Sequence, residues 1–386
     1  MSSTVKNTDG RLRVLIVDPS GLLWGSERAL LDLISHVDRS RFEIIVATPL
    51  DTELRPRLDA LDVKVVRGDI GMLHRRGRVT RAKATGWLAM IIHRYEPRVI
   101  HVNEAGLTPL VVAARLAGTP PVVAHVRLWD DAVVMAGRPA RFGKPQLLIA
   151  ISNFIAEKLV VGSSLPVRVV RDPFDADAFS SEAQSRGQVR QAMGLSETDR
   201  VVLMVGRICR EKGQSVFVHA AGILADDSVI FLVVGGVPPD LPEESQYRDS
   251  LVAHSRAQSF RGRVRFLGNR NDVASIMNAS DIVVLASANE PFGRVLLEAL
   301  SLGKPIIGPD RGGPIEIIGD NERGHLFATG DAERLSKTLR RVLDDPAGAA
   351  AKAAKGKEWV ARECSPTAHA AQVQSIWEEL SQPGFV

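Results

Sequence analysis

Short β-branched runs alternate with helical patterns, and they do so in two successive series. No other feature constrains the fold of this chain as strongly. Arg13-Val-Leu-Ile-Val17 has the composition of a buried strand, and Leu30, Leu31, Leu33, Ile34 and Val37 then recur at helical spacing over Arg28 to Val37. Strand-like runs follow at Phe42–Ala47, Val63–Val66, Val99–Val102, Val122–Val126, Leu147–Ile151 and Val167–Val170. Strand, helix, strand in this rhythm predicts parallel βαβ units. The second series comprises Val201–Val205, Val229–Val234, Val264–Leu267, Ile282–Leu285, Pro305–Gly308 and His325–Phe327. Its helices are expected over Gly213–Leu224, Asp272–Asn278, Arg294–Leu302 and Ala332–Leu343. Arg171 to Arg200, polar and rich in Asp, Ser and Gln, reads as an irregular connection between the two.

A length of 386 residues fits two domains of ordinary size. The expected division is residues 1–170, residues 171–360, and a helical tail over 361–386 that packs back toward the first domain. The expected fold class is α/β, with two Rossmann-like doubly wound domains facing across a cleft. Ligands in such sheets bind beyond the carboxyl ends of the strands.

Composition narrows the function classes. Two cysteines, Cys209 and Cys364, make no disulfide framework and point to a reducing cytoplasm. Met1 to Gly10 has no apolar core of a signal peptide. The most apolar stretch, Ala105 to Val126, is broken by Arg115 and Pro120-Pro121 and reads as buried elements. Charge is uneven, with 24 Lys/Arg against 16 Asp/Glu over residues 1–170 and 25 against 29 over the rest. His74 to Arg98 carries Arg75, Arg76, Arg78, Arg81, Lys83, Arg94 and Arg98 against one acid, Glu96. Such a block attracts anions, and with Trp87, Leu88, Met90, Ile91 and Ile92 behind it a peripheral contact with an anionic membrane is one expectation. A solvated helix face is the plainer one. No aromatic platform accompanies the block, so nucleic acid is not an expected partner.

Two segments carry chemistry. Glu290-Pro-Phe-Gly293-Arg294-Val295-Leu-Leu-Glu298 follows a strand and opens a helix. The first helical N–H groups, about Gly293 to Val295, lack intrahelical acceptors and suit a phosphate. Glu290 and Glu298 can accept hydrogen bonds from hydroxyls at two places on one elongated ligand. Glu290 alone also fits a helix-start acid favoured by the dipole. Gly206-Arg207-Ile-Cys-Arg-Glu-Lys212-Gly213 also follows a strand, and Arg207 and Lys212 can converge on a diphosphate, although an ordinary solvated loop explains them equally well in isolation. A third segment, Gly21-Leu-Leu-Trp-Gly25-Ser-Glu-Arg28, is neither GxGxxG nor a P-loop, yet Gly25 suits close approach to an anion.

Together these segments resemble the family 4 retaining glycosyltransferases of the GT-B fold. The matching residues are the pair Glu290 and Glu298, then Gly206, Arg207, Glu211, Lys212 and Gly213, and Gly25-Ser-Glu27-Arg28. Further matches are Ile100-His101-Val-Asn103, Val123-Ala-His125, Ala150-Ile-Ser152, Phe266-Leu-Gly268 with Asp272, and Gly303-Lys-Pro305 to Gly312-Gly313-Pro314-Ile-Glu316. Arg171-Asp-Pro-Phe-Asp175 departs from the family's Asn-Gly-Val-Asp, with Pro173 constraining a turn that glycine usually makes.

The resemblance implies that a sugar moves from a nucleotide-diphosphate donor to an acceptor hydroxyl. Arg207 and Lys212 would hold the diphosphate, Glu298 the ribose hydroxyls and Glu290 the donor sugar. His125 stands where the family faces that sugar, although a lone strand-end histidine is more often a satisfied core residue. His101 and Asn103 are expected only to shape the strand ends. The acceptor is open: a saccharide, a lipid-linked glycan or a small metabolite. No cofactor is expected, and no metal, because Asp130-Asp131 is not a convincing Asp-x-Asp and the histidines are scattered. A GT-B epimerase or phosphorylase, and a non-catalytic sugar-nucleotide scaffold, are the alternatives.

Overall fold

The computed structural model describes residues 10–19, 23, 25–68, 70, 78–104, 120–128, 130, 145–162, 165–237, 242–256 and 263–382. Two compact units emerge: residues 1–174 with 364–386, and residues 175–363.

In the first unit, seven parallel strands are ordered β3-β2-β1-β4-β5-β6-β7. They are β1 (Leu12–Val17), β2 (Phe42–Pro49), β3 (Lys64–Gly68), β4 (Val99–Val102), β5 (Val122–Val126), β6 (Leu147–Ala150) and β7 (Val167–Val169). Helices α1 (Gly25–Ser35), α2 (Arg55–Ala60), α3 (Arg78–Tyr95) and α4 (Asn153–Gly162) join them. Strands β1, β4, β5 and β6 are apolar at nearly every position and almost wholly buried, as expected of a parallel sheet covered on both faces. Order reverses between β1 and β4, which is this unit's topological switch point.

The second unit carries six parallel strands ordered β10-β9-β8-β11-β12-β13, with its switch point between β8 and β11. These are β8 (Arg200–Val205), β9 (Val229–Val234), β10 (Val264–Gly268), β11 (Ile282–Val284), β12 (Ile306–Pro309) and β13 (His325–Phe327). The helices are α5 (Ala176–Ser181), α6 (Arg186–Ala192), α7 (Gln214–Leu224), α8 (Pro242–Ser255), α9 (Val273–Ala279), α10 (Arg294–Ser301), α11 (Pro314–Ile318), α12 (Ala332–Asp344) and α13 (Pro346–Glu363). Phe217, Phe231, Met204, Ile307 and Leu339 lie in its core.

One feature differs from the sequence expectation. Arg171 to Arg200 is not irregular, since α5 and α6 occupy most of it. Their start signals were present: the Asp175 carboxylate accepts from the Ala178 N–H, and Ser185 precedes α6 in extended conformation. The tail is a further helix, α14 (Pro366–Ser381), capped by Ser365, whose hydroxyl accepts from the Ala368 N–H. Helix α14 packs on α1 and β4, and Trp377 is among the largest fully buried side chains of the chain.

Of the basic segment, residues 71–77 lie outside the described residues. Helix α3 buries Leu88, Ile91 and Ile92 and exposes Val79 and Met90, so most of its apolar residues serve the core. Gly21 and Trp24, residues 105–119 of the apolar stretch, and Asp131 also lie outside the described residues. Among the described residues no helix is long and apolar enough to cross a membrane.

Candidate active site

The residues singled out in the second unit gather at the carboxyl ends of β8, β11 and β12. Strand β8 runs out at Val205, and the Gly206 N–H is held by the Val234 carbonyl of β9. A single 3₁₀ turn over Arg210–Lys212 leads into α7. The Gln214 side-chain amide donates to the Arg207 carbonyl at 2.9 Å, and the Ala288 N–H donates to the Glu211 carbonyl at 3.1 Å. The loop after β8 is therefore tied to the loop after β11.

Across that tie, Lys212 Nζ lies 2.8 Å from Glu290 Oε2. The two residues are 78 positions apart in sequence and meet because their strands flank the switch point. Glu290 is 9% exposed, a depth at which a carboxylate without a cation or donor would be strongly disfavoured. The Arg207 guanidinium is exposed and, among the described residues, has no hydrogen-bond or ion-pair partner.

Helix α10 begins beside this pair. Gly293 caps it with φ +107°, a conformation closed to most L side chains, and this lets the chain turn from the Glu290 loop directly into the helix. Leu296, Leu297, Ala299 and Leu300 are buried, which fixes the helix rotation and holds Glu298 half-exposed on the same element. Arg294 Nε lies 3.7 Å from Glu298 Oε1, one helical turn away. Val295 sits half-buried in the first turn.

A further backbone contact supports Glu290 from β12, one that the sequence does not assign. The Gly313 N–H, after β12, donates to the Glu290 carbonyl at 2.9 Å. A Cβ at Gly313 would lie 2.5 Å from the Pro291 carbonyl oxygen and overlap Phe292 Cα. The Gly312-Gly313-Pro314 segment thus presses backbone against backbone under Glu290. Its signal in the sequence was the glycine pair directly after a strand.

In the first unit, Gly25 opens α1, is exposed, and has open space where a Cβ would stand. His125, at the end of β5, is fully buried between His101 and His369. His101 Nε2 lies 3.0 Å from His125 Nδ1, and the Trp377 indole N–H lies 3.1 Å from His101 Nδ1. Burial holds the pKa of His101 down to about 3 and that of His369 to about 4, with the Arg127 charge adding to both. The same causes, burial first, lower His125 well below the usual imidazole value. Asn103 has a larger role than shaping the strand end: its side-chain amide donates to Asp18 Oδ2 and its oxygen accepts from Arg127 at 2.8 Å. Arg127 continues to Asp172, so the chain that leaves β7 is anchored to the ends of β4 and β5.

Two parallel α/β sheets with switch-point loops bearing a paired lysine and glutamate define a GT-B glycosyltransferase architecture. Comparison with known proteins agrees. Residues 25–170 match the glycosyl transferase 4-like domain and residues 185–359 match the glycosyl transferases group 1 family. The structure of Anabaena HepE in complex with UDP-glucose superimposes with TM-score 0.79 at 22% identity, covering 96% of this chain and all of that one. The 2-deoxystreptamine glucosyltransferase of Streptomyces kanamyceticus is 32% identical over 200 residues, 51% of this chain and about half the length of that relative. The UDP-Gal:alpha-D-GlcNAc-diphosphoundecaprenol alpha-1,3-galactosyltransferase of Escherichia coli is 24% identical over 359 residues, 88% of this chain and 90% of that one. This chain belongs to the group 1, family 4-like glycosyltransferases. None of these comparisons favours an epimerase, a phosphorylase or a non-catalytic scaffold.

Proposed function

We propose that this glycosyltransferase takes a nucleoside-diphosphate hexose as donor and retains the anomeric configuration. The observation that carries the reading is the Lys212–Glu290 contact at the switch point of the second unit. An incoming diphosphate competes for the Lys212 ammonium and recruits the exposed Arg207. Glu290 is then free to accept from sugar hydroxyls. The N–H groups of Gly293, Arg294 and Val295 receive phosphate oxygens, and Glu298 accepts from ribose hydroxyls once Arg294 turns toward the phosphate. Two relatives support this class: HepE, whose structure holds UDP-glucose, and the E. coli galactosyltransferase, named for UDP-Gal.

In the transfer, the acceptor oxygen bonds to the anomeric carbon on the face from which the diphosphate departs. The bond from that carbon to the β-phosphate oxygen breaks, its electron pair stays on the phosphate, and the acceptor proton passes to the same phosphate. Arg207 and Lys212 neutralise the charge that develops, so no metal is required in this scheme. His125, neutral because it is buried, serves as a hydrogen-bond donor in the acceptor-binding unit. The test is incubation with a panel of nucleotide sugars, following release of free nucleoside diphosphate. Release from at least one donor is expected. No release and no binding at millimolar concentration would refute the reading.

A peripheral contact of α3 with anionic membrane is a separate proposal, favoured by exposed Val79 and Met90 beside Lys83 and Arg94. Sedimentation with vesicles containing anionic lipid is expected at low salt and lost at high salt.

A further inference from the structure

The hydrogen positions in the buried histidine cluster follow from which partners can only donate or only accept. An indole N–H is a donor and nothing else, so His101 Nδ1, 3.1 Å from Trp377 Nε1, must be the bare nitrogen. Full burial keeps His101 neutral, and its one proton is therefore on Nε2. That proton points at His125 Nδ1, 3.0 Å away, which must accept it. The proton of His125 is left on Nε2. This atom is buried and, among the described residues, has no partner. His369 runs the other way, because its Nδ1 lies 2.8 Å from the Arg171 carbonyl and must donate to it. Its Nε2 is then a bare acceptor, also buried and without a partner among the described residues. The rings of His125 and His369 stack at 6.0 Å between centroids.

A buried N–H without an acceptor is unfavourable and rare in native structures, so one beside a proposed site calls for a reason. We infer that Trp377 and His101 are positioning residues for transfer: helix α14 dictates the tautomer of His125 and so makes its Nε2 a hydrogen-bond donor. The inference rests on the proposed role of His125 in the reaction. The Trp377 end of the relay comes from a helix more than 200 residues further along the chain, and without the indole N–H either proton direction leaves one nitrogen of His101 unsatisfied. Trp377 also packs edge-on against Phe42, so Trp377→Phe keeps an aromatic ring there while deleting the N–H.

The test is NMR of the protein with ring-¹⁵N histidine, assigned with His125→Gln and His101→Gln. In the unsubstituted protein His101 and His125 should each show a protonated Nε2 and a bare Nδ1, and His369 the reverse. A protonated Nδ1 on His125 overturns the inference. In Trp377→Phe the His101 and His125 signals should shift toward a mixture of tautomers. With a competent donor and acceptor, kcat should fall at least threefold while nucleoside-diphosphate affinity stays unchanged. Unaltered ring signals in that variant overturn the relay. Altered signals with unaltered kcat overturn the link to transfer while leaving the donor site of the second unit untouched.

Discussion

The buried histidines of the first unit make its stability depend on pH in a calculable way. His101 and His369 have folded pKa values of about 3 and about 4, against 6.5 for an unhindered imidazole. A group whose folded pKa lies below its unfolded value binds protons preferentially in the unfolded state, so stability falls as pH drops below 6.5. Desolvation in the core is the largest cause for both. For His101 the Arg127 and His369 charges add to it, and for His369 the Asp172 carboxylate and the Arg171 carbonyl oppose it. At pH 5 an unfolded imidazole is almost fully protonated while these two are not. Each then removes about 2 kcal/mol, at 1.36 kcal/mol per pH unit, and the pair about 4 kcal/mol relative to neutral pH. His125 acts in the same direction. Against a typical domain stability of about 5–15 kcal/mol, that is a large fraction. Urea unfolding at pH 7 and pH 5, followed by tryptophan fluorescence, should show the midpoint of the first unit drop steeply between the two. His369→Gln should flatten the pH slope by about 1.4 kcal/mol per pH unit, the equivalent of one proton. An unchanged midpoint at pH 5 would refute the neutral, desolvated cluster.

Three further outcomes are expected. Gly313→Ala forces a methyl group into Phe292 and Pro291; it should lower stability by about 1–3 kcal/mol in a calorimetric melt and depress turnover through the displaced Glu290 loop. Glu298→Ala should cut donor affinity or turnover at least tenfold, read by titration and initial rates, because it removes the carboxylate placed for the ribose. Glu290→Gln should lower kcat with nucleoside-diphosphate affinity held within about threefold, since Lys212 remains for the diphosphate; a tenfold loss of that affinity would contradict the division of roles.

The two sheets were legible because parallel strands buried on both faces leave continuous apolar runs, as in Val229–Val234, whatever the contacts that follow. Glu290, Lys212 and Gly293 were legible because each follows a strand and opens a helix, which sequence order alone reveals. What sequence order does not carry is meeting in space. The Gly313 backbone under Glu290 and the approach of Trp377 to His101 depend on strand order and on the packing of α14, so neither has a local signature. His125 shows the same limit: a lone histidine reads more readily as a satisfied core residue than as part of a site, and its tautomer is decided by a residue 252 positions away, as the numbering places Trp377. Helices α5 and α6 escaped notice because short capped helices in polar sequence look like loop.

In the proposed donor site, Lys212 and Arg207 grip a nucleoside diphosphate beside Glu290. Calorimetric titration of the protein with a set of nucleoside diphosphates, repeated on Lys212→Ala and Arg207→Ala, tests it most directly. At least one diphosphate should bind, and each substitution should weaken it at least tenfold, about 1.4 kcal/mol. Binding that is equally tight in both variants, or no binding of any diphosphate at millimolar concentration, would contradict the account.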